Sequence, residues 1–253
     1  MASDVFAARV SEFADTWRNE SLSQARVEAA KRIYDRLQQL KTAPWPIDGA
    51  DQMDLSMAAD LGMMSLDNRL RDSIICYFLE PDMFRDDSGR LAQLVTSDDS
   101  PEVIPLFEKL NETCWNDTSY DPQDALSAYK QDIPVFMESM GYLLPPDFAA
   151  GPFEVAAFVS WAQGDDLSVT NGYAANAINA DRLCGIGTRM SSICLYDKHP
   201  AWMEAAKENR EAHLTPILAD TPDRHKHYSE SDGTGIISDP TTVPNDDNGR
   251  RLR

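Results

Sequence analysis

Residues 152–181 read PFEVAAFVSWAQGDDLSVTNGYAANAINAD, and this stretch decides the fold class. Pro152 opens a strongly apolar segment that predicts a helix over Phe153–Gln163. Gly164 ends this helix, because glycine accepts the left-handed backbone of a helix C-terminus at little cost. A second helix is predicted over about Asp166–Asn179. Small residues in the second helix let two helices approach closely, so the stretch predicts an αα-hairpin.

Apolar side chains that recur every three or four positions predict further helices on both sides of the hairpin. Before the second of these helices, Ser21-x-x-Gln24 is typical of a capping box. The predicted helical segments run through Phe6–Trp17, Val27–Leu40, Met53–Met64 and Leu66–Phe78, and later through about Leu183–Tyr196 and Pro200–Leu214. Period-two alternation over the length of a strand is scarce, so no substantial sheet is expected.

Three more helices are predicted between residue 80 and the hairpin. A short helix is predicted over Asp86–Val95, and the pair Ser100-Pro101 indicates the start of a helix that reaches Cys114. Asp121-Pro122 repeats this start signal. The helix that it opens is predicted to bend at Pro134 and to end at Gly141.

These patterns together predict an all-α fold, a multi-helix bundle or orthogonal array with a C-terminal αα-hairpin. Residues 1–214 are predicted to form a single helical domain, with a sub-boundary near residues 145–152 as the alternative. From Thr215 onward, Ser, Thr, Asp, Gly and Pro replace the large apolar residues. Residues 215–253 are therefore predicted to be a disordered acidic and polar tail.

The formal net charge of −19, from 42 acidic and 23 basic residues, is the strongest bulk signal. A surface with this much negative charge repels the phosphate backbones of nucleic acids and the anionic headgroups of lipids. The charge therefore argues against direct binding to nucleic acid or to a membrane. Three alternatives fit the acidity: a coat that keeps the protein soluble, a surface for a basic partner, or an imitation of the charge of DNA.

Cysteine usage and the N-terminus indicate a cytoplasmic location. Cys76, Cys114, Cys184 and Cys194 form no C-x-x-C pair, and we expect them to be small buried apolar residues in a reducing compartment. The N-terminus lacks the apolar core of a signal peptide. No window of 18 residues stays apolar, so a membrane span is not expected.

Two resemblances rest on the hairpin and on what precedes it. The turn Gln163-Gly164-Asp165, with Tyr173 in the second helix, is similar to a single tetratricopeptide unit, although Ala177 and Asp181 fall one residue late. No second copy is visible. Because a lone repeat does not bury its own apolar face, the hairpin is expected to dock on the preceding helices.

The second resemblance covers roughly Val27–His213. It is carried by Asp67, Arg69, Arg71 and Asp72 ahead of Ile74-Ile75, then by Phe153–Trp161, Gly164-Asp165, Ala177 and Asp181. On these residues the chain resembles the C-terminal part of an actinobacterial family catalogued as domain of unknown function 4192. The resemblance does not extend to the N-terminal α/β half that the family usually carries, and Val169 and Asn176 replace small or basic residues. The resemblance implies a helical fold and no mechanism, since the family has no established activity.

Candidate reactive groups are few. Cys194 and His199 are the closest nucleophile and base in sequence, but a buried thiol beside a helix end explains them better. Glu204, Glu208, Glu211 and His213 lack the Glu-x-x-His spacing of a carboxylate-bridged metal site. We therefore predict no catalytic residue, no cofactor and no metal. Asp67 and Arg71, four residues apart, are expected to form an ion pair along one helix face.

The leading functional hypothesis is a non-enzymatic protein–protein interaction module with an unknown protein partner. Its predicted interaction surface comprises Asp67, Arg71, Trp161, Asp165 and Tyr173. The alternative is an acidic decoy that captures a DNA-binding protein by imitating DNA, and a weaker alternative is a metal-dependent hydrolase. The sequence leaves the oligomeric state and the partner's identity open.

Overall fold

The computed structural model describes residues 2–42, 52–79, 112, 114–120, 126–130 and 132–207. All of them belong to the first of two units, Met1–Glu211 and Ala212–Arg253, into which the chain divides. The predicted helix over Asp86–Val95, nearly all of the helix from Pro101 to Cys114, and the predicted tail 215–253 lie outside the described residues.

Every regular element among the described residues is helical, which confirms the predicted all-α class. Short 3-10 turns at Met63–Ser65 and Pro146–Phe148 join longer helices, and residues 201–207 are helical as well. The longer helices are α1 Ala2–Asn19, α2 Leu22–Thr42, α3 Gln52–Gly62, α4 Asn68–Leu79, α5 Ile133–Leu143, α6 Ala150–Ala162, α7 Leu167–Ala180 and α8 Gly185–Leu195.

Helix α6 occupies the centre of the fold. All of its side chains except that of Phe158 are buried, and α3, α4, α5, α7 and α8 each pack against it. A helix that is apolar on every side has no face for water, so it is stable only when neighbours cover it all round. The hydrophobic core is one continuous cluster that runs from Phe6 in α1 to Ile193 in α8.

Helix ends follow local chemistry where a capping residue is present. The Ser21 hydroxyl accepts a hydrogen bond from the backbone N–H of Gln24 at 3.0 Å, which confirms that half of the predicted capping box. Asp166 caps α7 in the same way, accepting from the backbone N–H of Ser168 at 2.7 Å. These caps satisfy N–H groups that the first turn of a helix leaves without partners.

The predicted helix with a bend at Pro134 is wrong. Leu126 is helical, residues 127–130 form turns and bends, and α5 starts afresh at Ile133 with Asp132 as its cap, accepting from the backbone N–H of Val135 at 3.1 Å. Pro134 therefore lies in a first turn, where its missing N–H costs no hydrogen bond. The prediction ended this helix at Gly141, whereas α5 continues two residues further, to Leu143.

The predicted αα-hairpin is formed by α6 and α7 around Gly164. This glycine has a positive φ of 83°, and its backbone N–H donates to the carbonyl of Trp161 at 3.0 Å. The N–H of Asp165 reaches back to the carbonyl of Ser160 at 3.1 Å, which completes a glycine C-cap. The likeness of this hairpin to a tetratricopeptide unit stays a prediction.

We predict opposite effects for alanine at two glycines. Gly164→Ala is expected to lower the free energy of unfolding by about 1–3 kcal/mol, because φ is positive there. A Cβ would also lie 2.6 Å from Met203 Sδ. Gly172 lies within α7, and no atom would lie within 4 Å of a Cβ at this position. Gly172→Ala is therefore expected to raise the free energy of unfolding by about 0.5–1 kcal/mol. Urea unfolding measures both, and a loss of stability in both variants contradicts this account.

Candidate functional site

Four of the five residues predicted to form an interaction surface are buried. The exposed fractions are 9% for Asp67, 7% for Arg71, 1% for Trp161 and 7% for Tyr173. Asp165 is partly exposed and accepts a hydrogen bond from the Gln163 side chain at 2.6 Å. The four buried side chains are not accessible to a partner in this conformation. Asp67, Arg71, Trp161 and Tyr173 therefore belong to the interior and not to the predicted interaction surface.

The two aromatic residues of this set belong to the core. Trp161 packs against Trp115 and Phe158, with ring centroids 4.7 Å and 5.8 Å away. Its indole N–H donates to the backbone carbonyl of Lys198 at 2.9 Å, so the polar end of the ring is also satisfied. Trp161 thus links α6 to the segment after α8. Spacing along the hairpin did not reveal that this side chain faces inward.

The carboxylate of Asp67 has two structural roles. Its Oδ1 accepts from the backbone N–H groups of Arg69 and Leu70, at 3.0 Å and 3.1 Å, and so caps α4. Its Oδ2 lies 2.6 Å from Nε of Arg26 in α2. The predicted ion pair between Asp67 and Arg71 is therefore wrong, because Asp67 precedes α4 and its Oδ2 contacts Arg26 of α2 instead.

Arg71 instead pairs with carboxylates on both sides. Its guanidinium lies 2.7 Å from the adjacent Asp72 and 2.7 Å from Glu154 of α6. Glu154, 2% exposed, accepts with its other oxygen from the backbone N–H groups of Ile186 and Gly187 in the first turn of α8, at 3.0 Å and 3.3 Å. One buried carboxylate therefore neutralises Arg71 and caps α8, whose own N-cap residue supplies no side-chain bond.

Removing this carboxylate is predicted to destabilise the fold. Glu154→Ala is expected to lower the free energy of unfolding by about 3 kcal/mol, because Arg71 loses a buried charged partner. Glu154→Gln keeps an oxygen for the N–H groups of α8 and is expected to lose about 1 kcal/mol less. The exposed Glu204→Ala serves as the control in urea unfolding. Equal stability of all three variants contradicts the structural role.

Tyr173 lies in an acidic, buried setting that alters its titration. Burial raises the pKa of Tyr173 to about 12, with a further contribution from the carboxylates of Glu138, Asp132 and Asp165. Burial likewise raises the pKa of Tyr77 to about 12. Both phenols therefore hold their protons more tightly in the folded protein than in the unfolded chain, where a phenol ionises near pH 10.

An alkaline loss of stability follows from these two pKa values. The stabilisation from the neutral phenols is fully present below about pH 10 and is lost as the pH rises from about 10 to about 12. Tyr173→Phe is expected to make this loss smaller, measured as the free energy of unfolding across that window. Phenolate absorbance of the folded wild-type protein provides a second check, and titration of all its tyrosines together near pH 10 contradicts the assignment.

An open groove lies between α7 and α8. It has a volume of about 290 Å³ and is lined by Leu167, Ser168, Asn171, Ser191, Cys194 and Leu195. The Ser191 hydroxyl and the Asn171 side-chain oxygen meet across it at 3.0 Å. The lining is mixed, since three of these residues are apolar (Leu167, Cys194 and Leu195) and three carry hydroxyl or amide groups (Ser168, Asn171 and Ser191).

The two helices that flank the groove are almost free of charge. Helix α7 has no charged residue and α8 has one, Arg189, although 26% of the whole chain is charged. Half of the large apolar side chains that are exposed in the described part of the chain lie on or beside these helices: Val169, Leu183, Leu195 and Tyr196. The exposed residues of α7 and α8, together with these four apolar residues, are called the α7–α8 surface below.

Cysteines and candidate metal ligands offer no preorganised reactive centre among the described residues. Cys76, Cys114 and Cys184 are buried as predicted, and Cys194, partly exposed, lines the groove. Burial raises the pKa of the Cys194 thiol, which leaves it a poor nucleophile at neutral pH. No group of three or more potential metal ligands occurs in this part of the chain. Glu208, Glu211 and His213 lie outside it.

Comparisons with known proteins gave no match to any family model, curated protein or solved structure. The resemblance to the family of unknown function 4192 therefore stays a prediction. Among the helices that the structure describes, none has the length and apolar character required to cross a bilayer.

Proposed function

We propose that this protein is a non-enzymatic protein–protein interaction module whose contact site is the α7–α8 surface. The observation that supports the proposal is the near absence of charge from two adjacent exposed helices in a chain with a net charge of −19. Charged residues are depleted at the centres of protein interfaces, whereas a surface that serves only solubility is rich in them.

The groove fits an apolar side chain from the partner. Leu195 is 80% exposed at the edge of the groove, and covering an exposed leucine with an apolar partner surface is favourable. Cys194 and Leu167 extend the apolar lining, while Ser168, Asn171 and Ser191 supply polar groups that fix orientation. A hydrophobic centre with a polar rim is the usual anatomy of an interface.

Helix α7 presents a face on which a partner's backbone can approach closely. Ser168, Gly172, Ala175 and Asn179 are exposed at helical spacing, and none of them has a long side chain. Gly172 lies within the helix, where glycine costs about 0.5–1 kcal/mol relative to alanine. Nothing within the described structure requires it, since no atom lies within 4 Å of its missing Cβ. Close packing of an amphipathic partner helix accounts for this position.

The two other functional hypotheses have less support. The acidic decoy rests on the net charge alone, and several of the carboxylates, such as Asp60, Asp67 and Glu154, are buried and paired with arginines rather than displayed. The hydrolase hypothesis has no supporting cluster of metal ligands within the described residues. The interaction module is therefore the function that we propose.

Photo-crosslinking followed by affinity measurement tests this proposal. A photoreactive amino acid at position 195 in the full chain, expressed in native cells, is expected to crosslink a discrete partner. With that partner purified, Leu195→Glu is expected to weaken binding about tenfold or more, because a buried leucine contributes about 1.5–3 kcal/mol. Gly172→Ala is expected to weaken binding although it stabilises the folded monomer.

The matched control is Val135→Glu, which places a charge at an exposed apolar position of α5. This variant is expected to bind the partner with unchanged affinity. The proposal fails if position 195 crosslinks nothing reproducible, or if the Leu195 and Val135 variants lose affinity to the same extent.

A further inference from the structure

Three arginines converge on one buried carboxylate at the junction of α1, α2 and α3. Asp60 of α3 is 2% exposed, and its oxygens lie 2.8 Å from Nε of Arg9, 3.6 Å from Nε of Arg32 and 3.8 Å from Nε of Arg36. Arg32 and Arg36 are four residues apart and share one face of α2. This set, with Glu12 of α1, is called the arginine cluster below.

Contacts within the arginine cluster are close but poorly aligned. Both oxygens of Asp60 and the Nε atoms of Arg9 and Arg32 are buried without a hydrogen-bond partner among the described residues. The side chain of Arg36 makes no hydrogen bond within this part of the chain, and its 3.8 Å contact to Asp60 is electrostatic only. A guanidinium has five N–H donors, so the cluster has donors to spare.

The three arginine side chains are partly exposed, although the Nε atoms of Arg9 and Arg32 are buried. The side chains of Arg9, Arg32 and Arg36 are 26%, 25% and 28% exposed. Asp60 is more deeply buried than these arginines, and its negative charge attracts all three of them. Burial raises the pKa of Asp60, and the charges of Arg9, Arg32 and Arg36 oppose this shift.

Glu12 occupies the outer side of the cluster. Its carboxylate bridges Arg9 at 2.9 Å and Arg32 at 3.2 Å, while its side chain is 45% exposed. An exposed glutamate on a helix surface leaves such a pairing at little cost, because solvent replaces the interaction. Glu12 is therefore the group that an external anion displaces.

We propose that the arginine cluster is a binding site for a phosphate dianion, either free or as a monoester. With Glu12 displaced, three guanidinium charges face one buried carboxylate, an excess of two positive charges. A phosphate monoester carries a charge of about −1.5 to −2 near neutral pH, which matches this excess better than the single charge of a carboxylate. Guanidinium groups also suit the geometry of phosphate oxygens.

The acidity of the whole chain does not exclude such a site. Its long-range field slows the approach of an anion, but it is screened over about 8 Å at physiological salt. The direct contacts to three guanidinium groups act at shorter range and decide the affinity. The site is thus a local positive region in a negative protein.

Calorimetric titration of the full chain with inorganic phosphate and with O-phosphoserine, at matched ionic strength, tests the proposal. We expect saturable binding, tightened severalfold in Glu12→Gln because the internal competitor loses its charge. Arg36→Gln is expected to weaken binding about tenfold, the effect of losing one charge-assisted contact. This variant removes no hydrogen bond of the described structure and is expected to fold normally.

Arg18→Gln is the matched control. It removes one positive charge from α1 at a residue that is 71% exposed and pairs with Asp15, and it is expected to leave phosphate binding unchanged. Tighter binding of O-phosphoserine assigns the site to an ester, and tighter binding of inorganic phosphate assigns it to the free anion. No binding of either by the wild type and by Glu12→Gln, or equal losses in the Arg36 and Arg18 variants, overturns the proposal.

Discussion

The burial of α6 on every side is the constraint on which the rest of the structure depends. Its apolar residues give it no face that water can solvate, so neighbouring helices must enclose it. One of its residues, Glu154, carries a charge into this interior. A buried carboxylate is tolerated only with a charged partner and hydrogen bonds, and these come from Arg71 of α4 and the first turn of α8. The same residue therefore positions three helices.

Buried acid–arginine pairs occur at three junctions between helices among the described residues. Asp67 pairs with Arg26 of α2, Glu154 with Arg71 of α4, and Asp60 with arginines of α1 and α2. Each pair joins residues of different elements, so a changed arrangement of helices leaves a charge unpaired at high cost. Apolar packing supplies the bulk of the stability, while these pairs select one arrangement of the helices. The arginines around Asp60 differ from those of the other two pairs because they have N–H donors without a partner among the described residues and because their side chains are 25–28% exposed, against 8–11% for Arg71 and Arg26.

Charge is distributed unevenly over the described surface. Helices α7 and α8 carry almost none, whereas α1 and α2 display several arginines around one buried acid. Burying an uncharged face against a partner costs little free energy, since no ionised group is desolvated. The arginine cluster favours the opposite kind of ligand, one with concentrated negative charge. The two proposed sites thus differ in chemistry and lie on different helices.

The sequence by itself determined most of the described helices and several of their ends. The apolar spacing that marks a helix, the Ser21 cap and the glycine turn at Gly164 all act within a few residues, so they are readable along the chain. Tertiary structure alone decided which partner each charge takes. Asp67 and Arg71 suit each other by spacing, yet their partners Arg26 and Glu154 stand 41 and 83 residues away. The direction that Trp161 and Tyr173 face was decided in the same way, because burial depends on which helices surround a side chain.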